Sequence, residues 1–179
     1  MPVETEKKYR LTEAQRAQIT ERLKALSAES FEREFEVNTI YRNATLEADN
    51  AILRLRRVGN RSLLTYKKRF PSESAIKHQL EEETEVADAD TIARILTLLG
   101  FMPILVYEKY RTTWQYGGTA ITLDELPFGW FMEIEGAEVE IERVELELSV
   151  EGLQSEEATY PALTRQHGTH VGDVIEARF

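Results

Sequence analysis

Apolar and polar positions alternate with a period of two along most of this chain, and each alternating run ends at a turn signal. Residues 2–10 read as a strand. Thr12 and Gln15 form a capping box that opens a helix with Ile19, Leu23 and Leu26 on one face, ending near residue 29. Residues 31–42 read as a strand with Phe31, Phe35, Val37 and Tyr41 on one side. Residues 51–58 (AILRLRRV) and 62–69 (SLLTYKKR) flank Gly59-Asn60, a hairpin signal. A highly charged strand is expected at 76–86, followed by a short helix capped by Asp88 and stopped by Gly100. That helix is expected to turn Ile92, Ile95, Leu96 and Leu99 inward. A long strand at 103–116 turns at Gly117-Gly118 into 119–126, and Pro127 to Gly129 turns the chain again into 130–135. The stretch 137–149 fits either a strand pattern or a helix, and a last helix is expected at 159–167 with Thr159 as its cap. Strands in hairpin-like succession with a few helices make an α+β or β-barrel class rather than an alternating βαβ one.

Side chains two apart on a strand share a face, and on that rule the charges sort by strand. Glu4, Glu6 and Lys8 fall together; so do Arg54 with Arg56, Thr65 with Lys67, and Glu81 with Glu83 and Glu85. Further along, Lys109 aligns with Arg111, Thr122 with Asp124, and Phe131 with Glu133 and Glu135. Leucines, isoleucines and aromatics occupy the opposite faces. An open antiparallel sheet with one solvated face accommodates such charges. A closed barrel with its charges pointing into a wet cavity, and helices covering its apolar outside, accommodates them too. The sorting favours the barrel, because a solvated face usually pairs Lys with Glu across neighbouring strands. Rows of like charge are costly unless a ligand neutralises them. Lys8, Arg54, Arg56, Lys67, Lys109 and Arg111 suit a polyanion with several phosphates. The carboxylates of Glu4, Glu6, Asp124, Glu133 and Glu135 suit hard cations, with Mg²⁺ or Mn²⁺ the natural companions of phosphate.

Composition narrows this picture. The 179 residues are 42% hydrophobic and 30% charged, the profile of a globular chain, and no linker or repeat divides them. One domain over 1–179 is the simplest expectation. The formal net charge of −10 disfavours nucleic acid and anionic membranes as partners, while leaving room for a local basic pocket. Cysteine is absent, which excludes disulfides and thiolate metal sites. No leader-like or membrane-length apolar run is visible, so a cytoplasmic location is the default expectation. No P-loop or dinucleotide fingerprint occurs. His167 and His170 in QHGTHVG read as loop residues, and His78 beside Lys77 as outward-facing; Arg10 reads as a solvated charge at a strand end.

In these residues the sequence resembles the CYTH domain proteins, the triphosphate tunnel metalloenzymes. The Glu-x-Glu-x-Lys signature is Glu4-Thr5-Glu6-Lys7-Lys8; ILRLR carries Arg54 and Arg56, LTYK carries Lys67, EKYR carries Lys109 and Arg111, and TLDEL carries Asp124. GWFMEIEG supplies Gly129, Phe131, Glu133, Glu135 and Gly136. The match runs from residue 3 to about 165. It implies a closed eight-stranded antiparallel barrel, a triphosphate tunnel with helices packed on the outside, and a helix at 137–149. It also implies a metal-dependent triphosphatase acting on inorganic tripolyphosphate or a small organic triphosphate such as thiamine triphosphate or a nucleotide. Lys8, Arg54, Arg56, Lys67, Lys109 and Arg111 would clamp phosphate oxygens. Glu6, Glu133 and Glu135 would hold Mg²⁺ or Mn²⁺, and Glu4 would orient the attacking water, with or without a second ion. Asp124 would assist, and Glu83 and Glu85 would support neighbouring cations. Two positions depart from the family pattern: Glu81 stands where relatives often carry Arg, and Arg42 where they often carry Asp.

The resemblance leaves two rivals. An adenylate cyclase would use the same tunnel to align ATP, and needs a purine pocket that no assigned residue set supplies. A non-catalytic polyphosphate-binding module would have no need of the carboxylate pairs Glu4/Glu6 and Glu133/Glu135. Dimers recur in the family, which makes a homodimer an expectation of the resemblance alone.

Overall fold

The structure, a computed structural model, describes residues 3–70 and 77–179, with the side chains of Val3, Glu4, Arg69, Lys77, His78 and Gln79 also outside the described set. The elements run β1 (Val3–Leu11), α1 (Glu13–Ala25), β2 (Glu29–Ser30), β3 (Glu34–Arg42), α2 (Ala44–Ala48), β4 (Ala51–Val58), β5 (Arg61–Arg69) and β6 (Lys77–Glu85). They continue with α3 (Ala89–Leu98), β7 (Met102–Tyr116), β8 (Thr119–Leu126), β9 (Gly129–Glu135), α4 (Glu138–Leu148), α5 (Tyr160–His167), β10 (Thr169–Val171) and β11 (Val174–Ala177). The period-two runs became strands. The 137–149 stretch is a helix, so the period-3.6 placement of Ile141, Val144 and Leu148 prevailed, and all three are buried.

Eight strands pair antiparallel in the order β7-β3-β4-β5-β6-β1-β9-β8, and β8 returns to β7. The ring closes because β7 is long: β3 pairs with it over Met102–Arg111 and β8 over Tyr110–Tyr116. Among the described residues β6 meets β1 over Val3–Glu6, and β9 meets β1 over Glu6–Leu11. The chain after α4 reaches β1 at Lys8, through the Glu156 N–H donating to the Lys8 carbonyl. The β8 hairpin needs positive φ at both Gly117 (57°) and Gly118 (80°), and a Cβ at Gly117 would lie 2.4 Å from the Arg143 guanidinium.

Following the register around the ring puts one set of residues on the inner face. Glu36 opposes Lys109, Asn38 opposes both Arg56 and Tyr107, and Arg54 opposes Thr65. Lys67 opposes Glu81, Arg111 opposes Asp124, Lys8 opposes Glu133 and Glu6 opposes Glu135. The outer face is apolar. Tyr9, Leu11, Trp114, Ile121, Leu123, Met132 and Ile134 pack under Ile19 and Leu23 of α1 and Ile141, Val144 and Leu148 of α4. Each such fully buried aliphatic side chain contributes roughly 1.5–3 kcal/mol. A second outer cluster puts Leu96 and Ala89 of α3 on Tyr41 and Leu55.

Four expectations are corrected by packing. Helix α3 buries Leu96 but leaves Ile95 and Leu99 exposed, because it meets the barrel along a narrow stripe. Phe31 lies outside β3, and both it and Phe35 are exposed. His167 ends α5 and stacks on Phe128, and His170 sits in β10, a hairpin the Gly-rich reading took for a loop. Helix α5 is not on the outside. Its Tyr160 and Leu163 pack on the inner-face residues Ile40, Leu105, Tyr107 and Phe131, so it plugs one end of the barrel.

Candidate active site

The barrel encloses a cavity of about 450 Å³ lined by Glu6, Lys8, Arg54, Arg56, Lys67 and Glu81, and by Glu83, Lys109, Arg111, Glu133 and Glu135. Alternation on four strands, β1, β4, β5 and β7, therefore brings all six sequence-nominated cations to one space. A groove of about 660 Å³ on the outside, between α1 and residues 148–153, has Arg22 as its one cationic lining residue and is no rival as a phosphate site.

The floor is formed by β3, β7 and β8. Asp124 is fully buried and accepts four hydrogen bonds: from Lys109 Nζ (3.2 Å), Arg111 Nε (2.7 Å), Arg111 Nη2 (2.5 Å) and the Tyr160 hydroxyl (2.7 Å). Lys109, 1% exposed, also lies 3.5 Å from Glu36. Burial, with Arg111 alongside, pushes the Lys109 ammonium down to about 8, against the opposing pull of Asp124, Glu36 and Glu133. Burial alone would raise the Glu36 carboxyl; Lys109, Arg111, Arg56 and Arg54 together hold it well below the usual carboxylate range.

On the β4-β5-β6 wall, Arg56 donates to Glu83 (2.8 Å) and lies 3.5 Å from Glu36. Arg54 sits 3.8 Å from Glu81 and 3.6 Å from Glu83, and Lys67 pairs with Glu81. On the β1-β9 wall, Lys8 lies 3.2 Å from Glu133 and 4.1 Å above the Tyr160 ring, and Arg111 reaches Glu133 at 2.7 Å. Burial would raise Glu133 too, but Lys8, Arg111 and Lys109 hold its carboxyl well below the ordinary range. Glu135 behaves oppositely. Burial raises it, and Glu6, Glu81 and Glu133 add to the rise against the pull of Lys67.

The expectation of unneutralised rows of like charge is corrected here: basic strands lie beside acidic ones, so the cations pair across strands. The pairing is incomplete. Arg54 Nε, Arg56 Nε, Asn38 Oδ1 and Thr122 Oγ1 are buried without a hydrogen-bond partner, so polar capacity is left over on the inner wall.

Of the nominated metal ligands, Glu6, Glu133 and Glu135 line the cavity and fit a hard divalent cation by their chemistry, whereas the expectation for Asp124 is corrected: it is fully buried, off the cavity lining and taken up by four donors. Glu6 and Glu135 are direct register partners, and like charges placed opposite each other are destabilising without a counter-ion. The Glu6 charge adds to the burial that raises the Glu135 carboxyl. Among the described residues no group of three carboxylates or histidines is gathered into a finished cage. Mg²⁺ typically takes one or two carboxylates and completes its shell with phosphate and water, so the donor set suits an ion that arrives with a phosphate ligand.

Glu4 follows the same alternation on β1, but its side chain lies outside the described residues, as does that of His78. Glu85 is exposed and away from the cavity, so alternation alone overextended the acidic row. Arg10 is largely exposed, near Glu156, as expected for a strand-end charge. Glu81, which alternation aligned with Glu83 and Glu85 and which departs from the family pattern, is the partner of Lys67 and Arg54. Sequence reading missed Glu36, although it alternates with Glu34 and Asn38 behind Phe35 and Val37; attention to the apolar side of that strand hid it. Tyr160 carried no sequence signal, because only the docking of α5 brings it to the cavity.

A closed antiparallel barrel with an ionic interior and α5 across one end defines the class, and the chain belongs to the CYTH domain family, whose model matches residues 2–168. The PH1012 protein of Pyrococcus horikoshii OT3 superposes with a TM-score of 0.76 at 22% identity, covering 88% of this chain and 96% of that one. The PH1819 protein of the same organism gives 0.73 at 28% identity, covering 91% and 98%. HpAC1 of Hippeastrum, an adenylyl cyclase candidate with a dominant triphosphatase activity, gives 0.70 at 19% identity, covering 93% and 96%. No curated protein matches the chain in sequence. No described helix is long and apolar enough to cross a membrane.

Proposed function

We propose that this protein is a metal-dependent triphosphatase that hydrolyses inorganic tripolyphosphate or a small organic triphosphate inside the barrel. The observation that carries the reading is the convergence of Lys8, Arg54, Arg56, Lys67, Lys109 and Arg111 on one cavity inside the barrel. Arginine forks and lysine point charges at several heights of a lumen match a chain of phosphates better than a single anion. HpAC1, which shares the fold, agrees in kind.

In this reading the six cations position the phosphates and stabilise the charge that develops on the transferred phosphoryl group. The carboxylates that now occupy them, Glu83 and Glu81 foremost, give way to phosphate oxygens. Asp124 keeps Lys109 and Arg111 aimed inward. Glu6, Glu133 and Glu135 would hold Mg²⁺ or Mn²⁺, with Glu4 on the same strand face. The ion would supply charge neutralisation and a more acidic bound water. Enclosure by the barrel and α5 limits bulk water, which strengthens every charge interaction inside. Water attacks the terminal phosphorus, the bridging P–O bond breaks, and orthophosphate leaves beside a diphosphate.

A second reading has one supporting feature. The α5 end of the cavity adds Asn50, Ile52, Pro161 and Arg165, which offer mixed polar and apolar contacts to an organic group. A nucleotide could place its base there, and an adenylate cyclase would let a ribose hydroxyl replace water as the attacking group. The experiment is incubation with tripolyphosphate, thiamine triphosphate and ATP, each with Mg²⁺ or Mn²⁺, with products identified. Orthophosphate release supports the triphosphatase. Cyclic AMP with pyrophosphate supports the cyclase instead. Tight binding without turnover would leave a binding module and overturn both.

A further inference from the structure

Among the described residues, Glu36 is the one inner-face carboxylate that is fully buried, is shared by two of the phosphate-clamping cations and has no assigned part in the reaction. Its side chain is 2% exposed, against 31% for Glu83 and 11% for Glu81. Its two oxygens divide between strands: Oε1 faces Arg56 Nη1 and Oε2 faces Lys109 Nζ, each at 3.5 Å. Asn38, itself without solvent exposure, donates from Nδ2 to Glu36 Oε2 at 3.2 Å and fixes the carboxylate plane. Arg54 and Arg111 also feel its charge.

We propose that Glu36 is a permanent internal counter-anion that holds Arg56 and Lys109, and through their shared field Arg54 and Arg111, at the spacing a polyphosphate needs before any ligand arrives. The inference rests on the triphosphate reading for the ligand's identity, and on geometry alone for the role of Glu36 as a positioning residue. The 3.5 Å separations are long for a charge-assisted hydrogen bond, so these cations keep donor capacity for a ligand; the orphaned Nε atoms of Arg54 and Arg56 are part of it. Glu83 differs. It makes short contacts, to Arg56 at 2.8 Å and the Thr65 hydroxyl at 2.6 Å, but it reaches solvent and can swing away when phosphate replaces it. Glu36 has nowhere to go. Without it, cations from the two strands that flank β3 would repel across a low-dielectric floor, and the site would open or fill with an adventitious anion.

The test compares Glu36→Gln with Glu83→Gln by thermal unfolding. Each is measured without anion, with metal-free tripolyphosphate, with sulfate, and with sodium chloride at matched ionic strength. Glu36→Gln is expected to lose on the order of 5–15 °C without anion, and tripolyphosphate or sulfate is expected to restore most of that loss while chloride does not. Glu83→Gln, an exposed removal of the same charge, is expected to lose little. Restoration is the readout that a purely structural core residue would not give. A Glu36→Gln loss that neither polyanion restores, or no loss at all, overturns the proposal. Restoration by sulfate in a protein that tripolyphosphate does not stabilise would uphold the role of Glu36 and sink the triphosphate reading. If Glu36→Gln fails to accumulate, Glu36→Asp takes its place: its shorter reach to Lys109 and Arg56 is expected to give a smaller loss with the same anion dependence, and a loss independent of anion rejects the idea.

Discussion

Replacing Asp124 with asparagine removes one negative charge and one acceptor from the most heavily used carboxylate in the barrel. Oδ1 accepts from Arg111 Nε, and Oδ2 accepts from Lys109, Arg111 Nη2 and Tyr160. An asparagine can keep its oxygen on the three-donor side only by turning its amide N–H toward Arg111 Nε, donor against donor. Lys109 and Arg111 then retain Glu36 and Glu133 as their remaining counter-charges. Removing one partner from a buried ion pair typically costs about 3–5 kcal/mol. At roughly 2–4 °C per kcal/mol for a chain of this size, Asp124→Asn should lower the melting temperature by roughly 6–20 °C. Tyr160→Phe removes a single hydrogen bond to the same carboxylate and should cost about 1.5–3 kcal/mol. Urea denaturation followed by circular dichroism, with Tyr160→Phe alongside, measures both. The reasoning fails if Asp124→Asn unfolds within about 1 kcal/mol of the parent, or if Tyr160→Phe is the more damaging change.

Three further outcomes are expected. Glu6→Gln should abolish metal-dependent phosphate release while leaving the melting temperature of the metal-free protein near or above that of the parent, because it also relieves the Glu6–Glu135 opposition; full turnover by this variant would contradict the metal role. Glu36 and Glu133 have folded-state carboxyls held below their unfolded value of about 4.5, so the unfolded chain binds more protons in acid. Their stabilisation is complete above that value, declines as the pH falls below it and is gone once the folded values are passed; a flat stability profile between about pH 5 and 2 would refute this. Glu145→Ala should strand Lys7 and Tyr9 on the outer face of β1, where Lys7 now lies 2.5 Å from Glu145 and the Tyr9 hydroxyl donates to it. Because Glu6 and Lys8 alternate with those residues, steady-state kinetics should show a raised KM for the triphosphate along with lost stability; unchanged values of both would refute the coupling.

The strand pattern, the two-glycine turn, the caps at Thr12, Asp88 and Thr159 and the inward-facing cations were legible in the sequence, because a strand's period of two and a cap's hydrogen bond are local properties. Alternation named every cation that lines the central cavity on the barrel wall. It went wrong where a strand runs past the cavity, as at Glu85, or where an amphipathic helix meets less surface than its apolar face offers, as at Ile95 and Leu99.

Only the tertiary structure decided which charges meet. The sequence put basic residues on β4 and β7 and acidic ones on β6 and β9, but the strand order, which places β3 between β4 and β7, made Glu36 the shared neighbour of Arg56 and Lys109. The docking of α5 across the barrel end, with Tyr160 on Asp124 and beneath Lys8, likewise depends on contacts between residues far apart in the chain. The physical reason is one of range. Backbone geometry fixes which side of its own strand a residue faces, whereas the energy of a buried charge depends on its distance to charges on other strands and on the water excluded around them, and both are set by the closed barrel as a whole.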